Sequence, residues 1–208
     1  MSKVAIKGAD TGTGVFTLES PATNTDRTLV LPDEAGTVLT TAGVPASAMP
    51  AGSVIQVVQA VKSDTWSTTG SSFAEITGYN VTITPSSTAN KVMVEVCLHI
   101  GENQDSFPIF KIYRNGTELQ TAPAISPGVS AMFAKTTTGN DARDQYLLEP
   151  VNFKFLDLPS TTSAVTYTIR VRPMSTVPRI IYVNRPQNIN DANQCTTIST
   201  LTATEIAG

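Results

Sequence analysis

The clearest pattern along the chain is alternation. From Lys91 to Ile100 the apolar residues Val92, Val94, Val96, Leu98 and Ile100 take every second position, with Met93, Glu95, Cys97 and His99 between them. A period of two sends the two sets to opposite sides of a strand, so this segment predicts one core face and one mixed face. Thr166 to Arg172 repeats the period: Tyr167, Ile169 and Val171 point one way, and Thr166, Thr168, Arg170 and Arg172 the other. That is the pattern of a half-buried antiparallel strand. Ile109 to Arg114 and Thr117 to Gln120 flank Asn115-Gly116, whose tolerance of positive φ at both central positions predicts a tight hairpin. Further strands are expected at Ser53 to Val61, Phe73 to Ile76, Asn80 to Thr84, Val129 to Ala134, Val151 to Leu156, Arg179 to Val183 and Thr196 to Thr204. No convincing apolar stripe of helical period appears, which disfavours a parallel βαβ architecture. The expected fold class is all-β, an antiparallel β-sandwich or jelly roll over residues 53–208.

The chain before that block reads differently. Residues 1–39 suggest short strands at Val4 to Lys7, Val15 to Glu19, Arg27 to Leu31 and Thr37 to Leu39, separated by GADTGTG, SPATNTD and PDEAG. The segment has few large side chains, and a stretch of this size with so little apolar area rarely folds alone. It needs partner surface. Arg27, Leu29, Leu31, Val38 and Leu39 hold most of that bulk, so they are the candidate anchoring residues, with packing among copies of the segment an equal alternative. Residues 40–52, TTAGVPASAMPAG, have the composition of a semi-extended linker.

Composition narrows the function classes. With 31 Thr and 17 Ser among 208 residues, the chain favours strands and turns. Its 14 basic and 17 acidic residues give a net charge of −3, which supplies no footprint for nucleic acid. No stretch approaches the roughly 18 apolar residues of a membrane span, and the first ten residues have no leader-like apolar region, so synthesis in the cytoplasm without membrane insertion is expected. Cys97 and Cys195 form neither a disulfide framework nor a metal-ligand spacing and read as buried thiols, with one bridge possible.

Candidate chemistry is sparse. His99 is the single histidine and shares a strand face with Glu95 and Cys97, but a structural metal site wants four ligands and Cys195 is the one further candidate, so no metal is expected. A mixed face on a central strand reads better as a surface that meets another subunit. A Ser/His/Asp arrangement could be built around His99 alone, and no Gly-x-Ser-x-Gly elbow is present, so no catalytic residues, cofactor or enzymatic activity are expected. GADTGTG lacks the Lys-Ser/Thr of a phosphate loop and reads as a turn. Candidates for receptor contact are Trp66, the loop Lys135 to Gln145 with Asn140, Asp141 and Arg143, and the polar stretch Arg185 to Gln194. Each has a plainer reading, as packing for Trp66 and as ordinary connections for the loops.

Gly12 to Thr41, GTGVFTLESPATNTDRTLVLPDEAGTVLTT, resembles the N-terminal segment of many tailed-bacteriophage fibre proteins: a TGTxTL-like strand, a PATN-like turn, an R-T-L-x-LPD strand and a GTVLT strand. Gly52 to Val96 is similar to the opening of the C-terminal domain in the same class of virion proteins, and ISTLTATEIAG resembles its last strand. The resemblance implies a homotrimeric virion protein. Its N-terminal segment would attach to other virion proteins, and its C-terminal domain would form a knob like the jelly rolls of tumour necrosis factor and complement C1q. Neither Gly-x-y repeats nor heptads appear, so the expected object is a short fibre on the tail or baseplate that touches a host surface glycan. The alternatives are a capsid head-decoration, cement or head-fibre protein and, from other classes, a carbohydrate-active depolymerase on the same scaffold or a cellular carbohydrate-binding module.

Overall fold

The computed structural model describes residues 11, 13, 24, 25, 44, 46–102, 106–119, 122–124, 128–135, 144–174, 179–190, 192 and 194–208. The chain forms two compact units, Met1–Leu39 and Thr40–Gly208. The strands expected before residue 40 lie outside the described residues, and so do Arg27, Leu29, Leu31, Val38 and Leu39. Within the expected linker, Ala46–Ala48 forms a 3-10 turn. The residues after it are tied to the chain end: Gly52 N–H donates to Ala207 O at 2.9 Å and Ala207 N–H to Ser53 O at 2.8 Å.

Eleven strands are present among the described residues: β1 (Val54–Lys62), β2 (Trp66–Thr68), β3 (Ala74–Ile83), β4 (Lys91–Glu102), β5 (Pro108–Arg114), β6 (Thr117–Glu118), β7 (Phe133–Ala134), β8 (Glu149–Asp157), β9 (Val165–Pro173), β10 (Ile181–Val183) and β11 (Ser199–Ile206). All pairings are antiparallel. The first sheet runs β1-β11-β4-β10-β2, with β8 also on β4; the second runs β3-β9-β5-β6, with β7 also on β5. Because β4 pairs with β8 along Val92 to Ile100, the shorter β10 and β11 must share its other side, one beyond the other. The first sheet is therefore four ranks wide: β1 with β2, β11 with β10, β4, and β8. The second matches it with β3, β9, β5, and β6 with β7.

Alternation decides what fills the space between them. Val94, Val96 and Leu98 of β4 are fully buried, as are Phe110, Tyr167 and Ile169 of the facing sheet. The expected hairpin forms: Asn115 (φ 48°) and Gly116 (φ 80°) turn β5 into β6, with Arg114 opposite Thr117. Several boundaries differ from expectation. Phe73 to Ile76 and Asn80 to Thr84 merge into one strand, β3, whose partners on β9 jump from Glu75–Arg170 to Asn80–Thr168 across a bulge. Gly78 sits in that bulge at φ 76°, a conformation that suits glycine. Strands expected from Val129, Arg179 and Thr196 begin later, at Phe133, Ile181 and Ser199.

Buried polar groups hold the sheets together. The Tyr79 hydroxyl crosses the core to lie 2.7 Å from Thr200 O and 3.1 Å from Cys97 O. Burial pushes its phenol far above the ordinary range, so it stays a donor. Lys62, 1% exposed, donates to Thr77 O in the β3 bulge at 2.7 Å and pairs with Asp64 at 2.9 Å. Asn184, fully buried at φ 62°, donates from Nδ2 to Lys62 O and Asp64 O and accepts from Ser199 Oγ at 2.6 Å. Its own N–H donates to His99 O at 2.9 Å, so one side chain and its backbone fix the point where β1, β4, β10 and β11 meet. At the other end, Arg114 of β5 grips Asp157 of β8 with two hydrogen bonds of 3.0 and 2.8 Å, and Tyr167 donates to the same carboxylate at 2.7 Å.

Glu205 is fully buried on β11. Its carboxylate accepts from Gln56 Nε2 at 2.5 Å, Ser86 N–H at 2.6 Å, Ser86 Oγ at 2.8 Å and Asn90 Nδ2 at 2.6 Å. Burial alone would raise its pKa, but these hydrogen bonds outweigh burial and hold it below the ordinary value of 4.5.

Because the folded carboxyl titrates below its unfolded value, the stability from Glu205 is complete above about pH 4.5 and is lost as pH falls through the folded pKa. Glu205→Gln turns one acceptor into a donor facing donors and should cost about 1–3 kcal/mol at pH 7, with a smaller loss of stability on acidification. Urea titrations from pH 3 to 7 measure both effects, and equal acid sensitivity in the variant would refute this role. Asn184→Ala strands two carbonyls and the Ser199 hydroxyl and should cost about 2–4 kcal/mol; a change within about 0.5 kcal/mol, the range of an ordinary surface site, would count against the pin.

Candidate functional site

Folding fixes what each sheet buries and leaves its outer face to be read. On the first sheet the registers align β1, β11, β4 and β8 into rows. Val57, Thr204, Met93 and Leu156 form one row; Gln59, Thr202, Glu95 and Lys154 the next; Val61, Thr200, Cys97 and Asn152 the third. The outer rows are substantially apolar and open: Val57 is 58% exposed, Val61 55% and Leu156 44%. The middle row is polar, with Gln59 Nε2 donating to Thr202 Oγ1 at 3.0 Å. A shallow depression of about 620 Å³ lies over the lower two rows. The face thus sets exposed apolar side chains on either side of a polar row.

His99, Cys97 and Glu95 do share this face. The His99 ring sets Nδ1 2.9 Å from Ile198 O, beside an open depression lined with Ser63 and Thr196 to Ile198. Among the described residues no group of three or more His, Cys, Asp or Glu side chains is placed to hold a metal ion. Both cysteines are free thiols; Cys97 is half-buried on this face and Cys195 is exposed, which corrects their reading as buried.

Next to this face is an aromatic edge. Phe153 of β8 and Phe133 of β7 stack with centroids 5.1 Å apart and planes 5° from parallel, and both lie about 6 Å from Phe110. They are half-buried and close the side of the sandwich where β8 and β7 end their sheets. Lys135, following β7, pairs with Glu102 of β4 and with Glu149 of β8 at 2.5 Å, clipping the two sheets together there.

The second sheet shows a different outer face. Lys111 and Tyr113 of β5 lie beside Arg170 and Thr168 of β9, and Glu75 of β3 follows in the same row as Arg170. Arg170 stacks its guanidinium 4.0 Å from the Tyr113 ring centre, and Lys111 and Arg172 sit 4.5 and 5.6 Å from that of Phe73. Lys111 also pairs with Glu118 at 2.7 Å, and Tyr113 donates to the same carboxylate at 3.1 Å. Burial and then Glu118 push the Tyr113 phenol above its ordinary range, so the ring stays neutral.

The candidate contact residues fare unevenly. Trp66 lies on β2, paired with Val183, with its ring half-buried against the core, so much of its area goes to packing rather than into an open loop. Asn140, Asp141 and Arg143 lie outside the described residues. The outward orientation of Arg170 and Arg172 follows from the period of their own strand, but their pairing with Tyr113 and Phe73 depends on which strands become neighbours. Val57 and Val61 gave no signal, because VIQVVQAVK mixes apolar residues on both faces.

No protein-family model matches the chain, and no curated protein matches it in sequence.

Proposed function

We propose that the chain is a structural and adhesive subunit of a phage virion: a short trimeric fibre whose residues 1–39 attach to the tail or baseplate and whose sandwich is a knob for host-surface binding. The observation that carries this reading is the set of exposed apolar side chains, Val57, Val61 and Leu156, on the outer face of the first sheet beside the aromatic β7–β8 edge. These two patches differ in shape and chemistry. Unlike patches join head-to-tail, and such an interface closes into a ring when the rotation allows. Burying Val57, Val61 and Leu156 between copies adds on the order of 1 kcal/mol each.

The strand order supports a jelly roll. Ranks β1-β11-β4-β8 in one sheet and β3-β9-β5-β6 in the other are the order that two Greek keys wound together would give. The resemblance of residues 12–41 to fibre N-termini supports the attachment role. Adhesion then works by avidity: three weak sites on one rigid knob, repeated over several fibres, raise overall binding about 10²-fold or more without any single strong contact.

Immunogold labelling of intact particles tests the proposal. Label at the tail tips is the expected result. Label over the head would replace the fibre with a capsid-decoration role, and particles free of label would end the virion reading.

A further inference from the structure

The outward-facing positions of the second sheet carry three cations in a strip across β5 and β9: Arg170 and Arg172, both half-buried, and Lys111, which is largely covered. Arg170 and Arg172 are two residues apart on one strand face, about 7 Å along it, and Lys111 stands directly opposite Arg170. Aromatic rings hold them in place: Tyr113 under Arg170, and Phe73 beside Lys111 and Arg172. Acids answer them incompletely. Lys111 has Glu118 at 2.7 Å, but Arg170 has Glu75 only at 3.8 Å, and Arg172 donates to a neutral carbonyl, Ser71 O, at 2.8 Å. Among the described residues the Nε atoms of both arginines are buried with no hydrogen-bond partner. A guanidinium held over a ring, as Arg170 is over Tyr113, is pre-organised to receive a planar carboxylate or a phosphate.

We infer that this strip binds an anionic glycan, a chain bearing a carboxylate or phosphate about once per sugar. The inference rests on the adhesive reading above and names the site and ligand class it would use. Charge density separates this ligand from nucleic acid. Duplex DNA presents one charge per about 1.7 Å, far more than three cations interleaved with Glu75 and Glu118 on a chain of net charge −3 can match. A sparsely charged polymer meets the cations and avoids the acids.

The test uses the full chain, polygalacturonate as probe, neutral dextran of equal length and a duplex oligonucleotide, followed by calorimetry at low and high salt. Wild type should bind polygalacturonate, weaken at least tenfold between low and high salt, and ignore dextran. R170Q/R172Q should bind at least tenfold more weakly, while R170K/R172K, which keeps the charge, should retain part of the affinity and show that the sheet still folds. Equal binding by wild type and R170Q/R172Q, no binding of polygalacturonate by wild type, equal binding of dextran, or tighter binding of the oligonucleotide would each overturn the inference. Adsorption to host cells separates it from the reading beneath it. Cells that capture wild type and R170Q/R172Q equally leave adhesion standing and remove the strip. Cells that capture neither, while wild type binds polygalacturonate through these arginines, leave the strip standing and remove adhesion.

Discussion

A strand cannot choose its two faces independently of its period. Once β4 and its neighbours turn Val94, Val96 and Leu98 toward Phe110, Tyr167 and Ile169, the residues between them must line the opposite surfaces. Every other feature of the sandwich depends on that constraint. The core supplies the driving force, and the buried polar groups supply the address: Tyr79 ties the β3 bulge to the first sheet, Asn184 fixes the junction of four strands, and Glu205 gathers Gln56, Ser86 and Asn90 at the far end. Each would be costly if left unpaired, so each permits one arrangement of the strands around it.

The parts of the fold that are legible in sequence are those set by local physics. The period of β4 and β9 and the positive-φ turn at Asn115-Gly116 need no knowledge of neighbours. β1 is less legible, because Val57 and Val61 break the alternation by facing outward where an edge strand of an isolated domain would carry polar residues. Trp66 belongs to β2 only because Val183 lies opposite it, a pairing across more than half of the domain. The bulge at Gly78 depends on Lys62 reaching Thr77 O, and nothing in the GYN stretch announces a lysine 15 residues earlier. The candidate sites follow the same division. The outward set of β9 can be read from its own residues, whereas the pairing of Arg170 with Tyr113 exists only after β5 and β9 become neighbours.

The two outer faces answer different demands. That of the first sheet presents partly exposed valines and a leucine around a polar row, a poor surface to leave in water and a good one to cover. That of the second presents stacked cations, which gain from being reached by an anion. In the proposed trimer the first face and the β7–β8 edge would be spent on assembly, leaving the second face on the outside. Self-association and host contact would then use opposite sides of one sandwich, so neither compromises the other.

The central claim is that copies of the chain cover the exposed Val57, Val61 and Leu156 on the outer face of the first sheet. Light scattering on the full chain after size-exclusion chromatography, at micromolar concentration and moderate salt, addresses it most directly. The account predicts a single species at three times the 22.0 kDa chain mass. A folded species at 22.0 kDa under those conditions would contradict it.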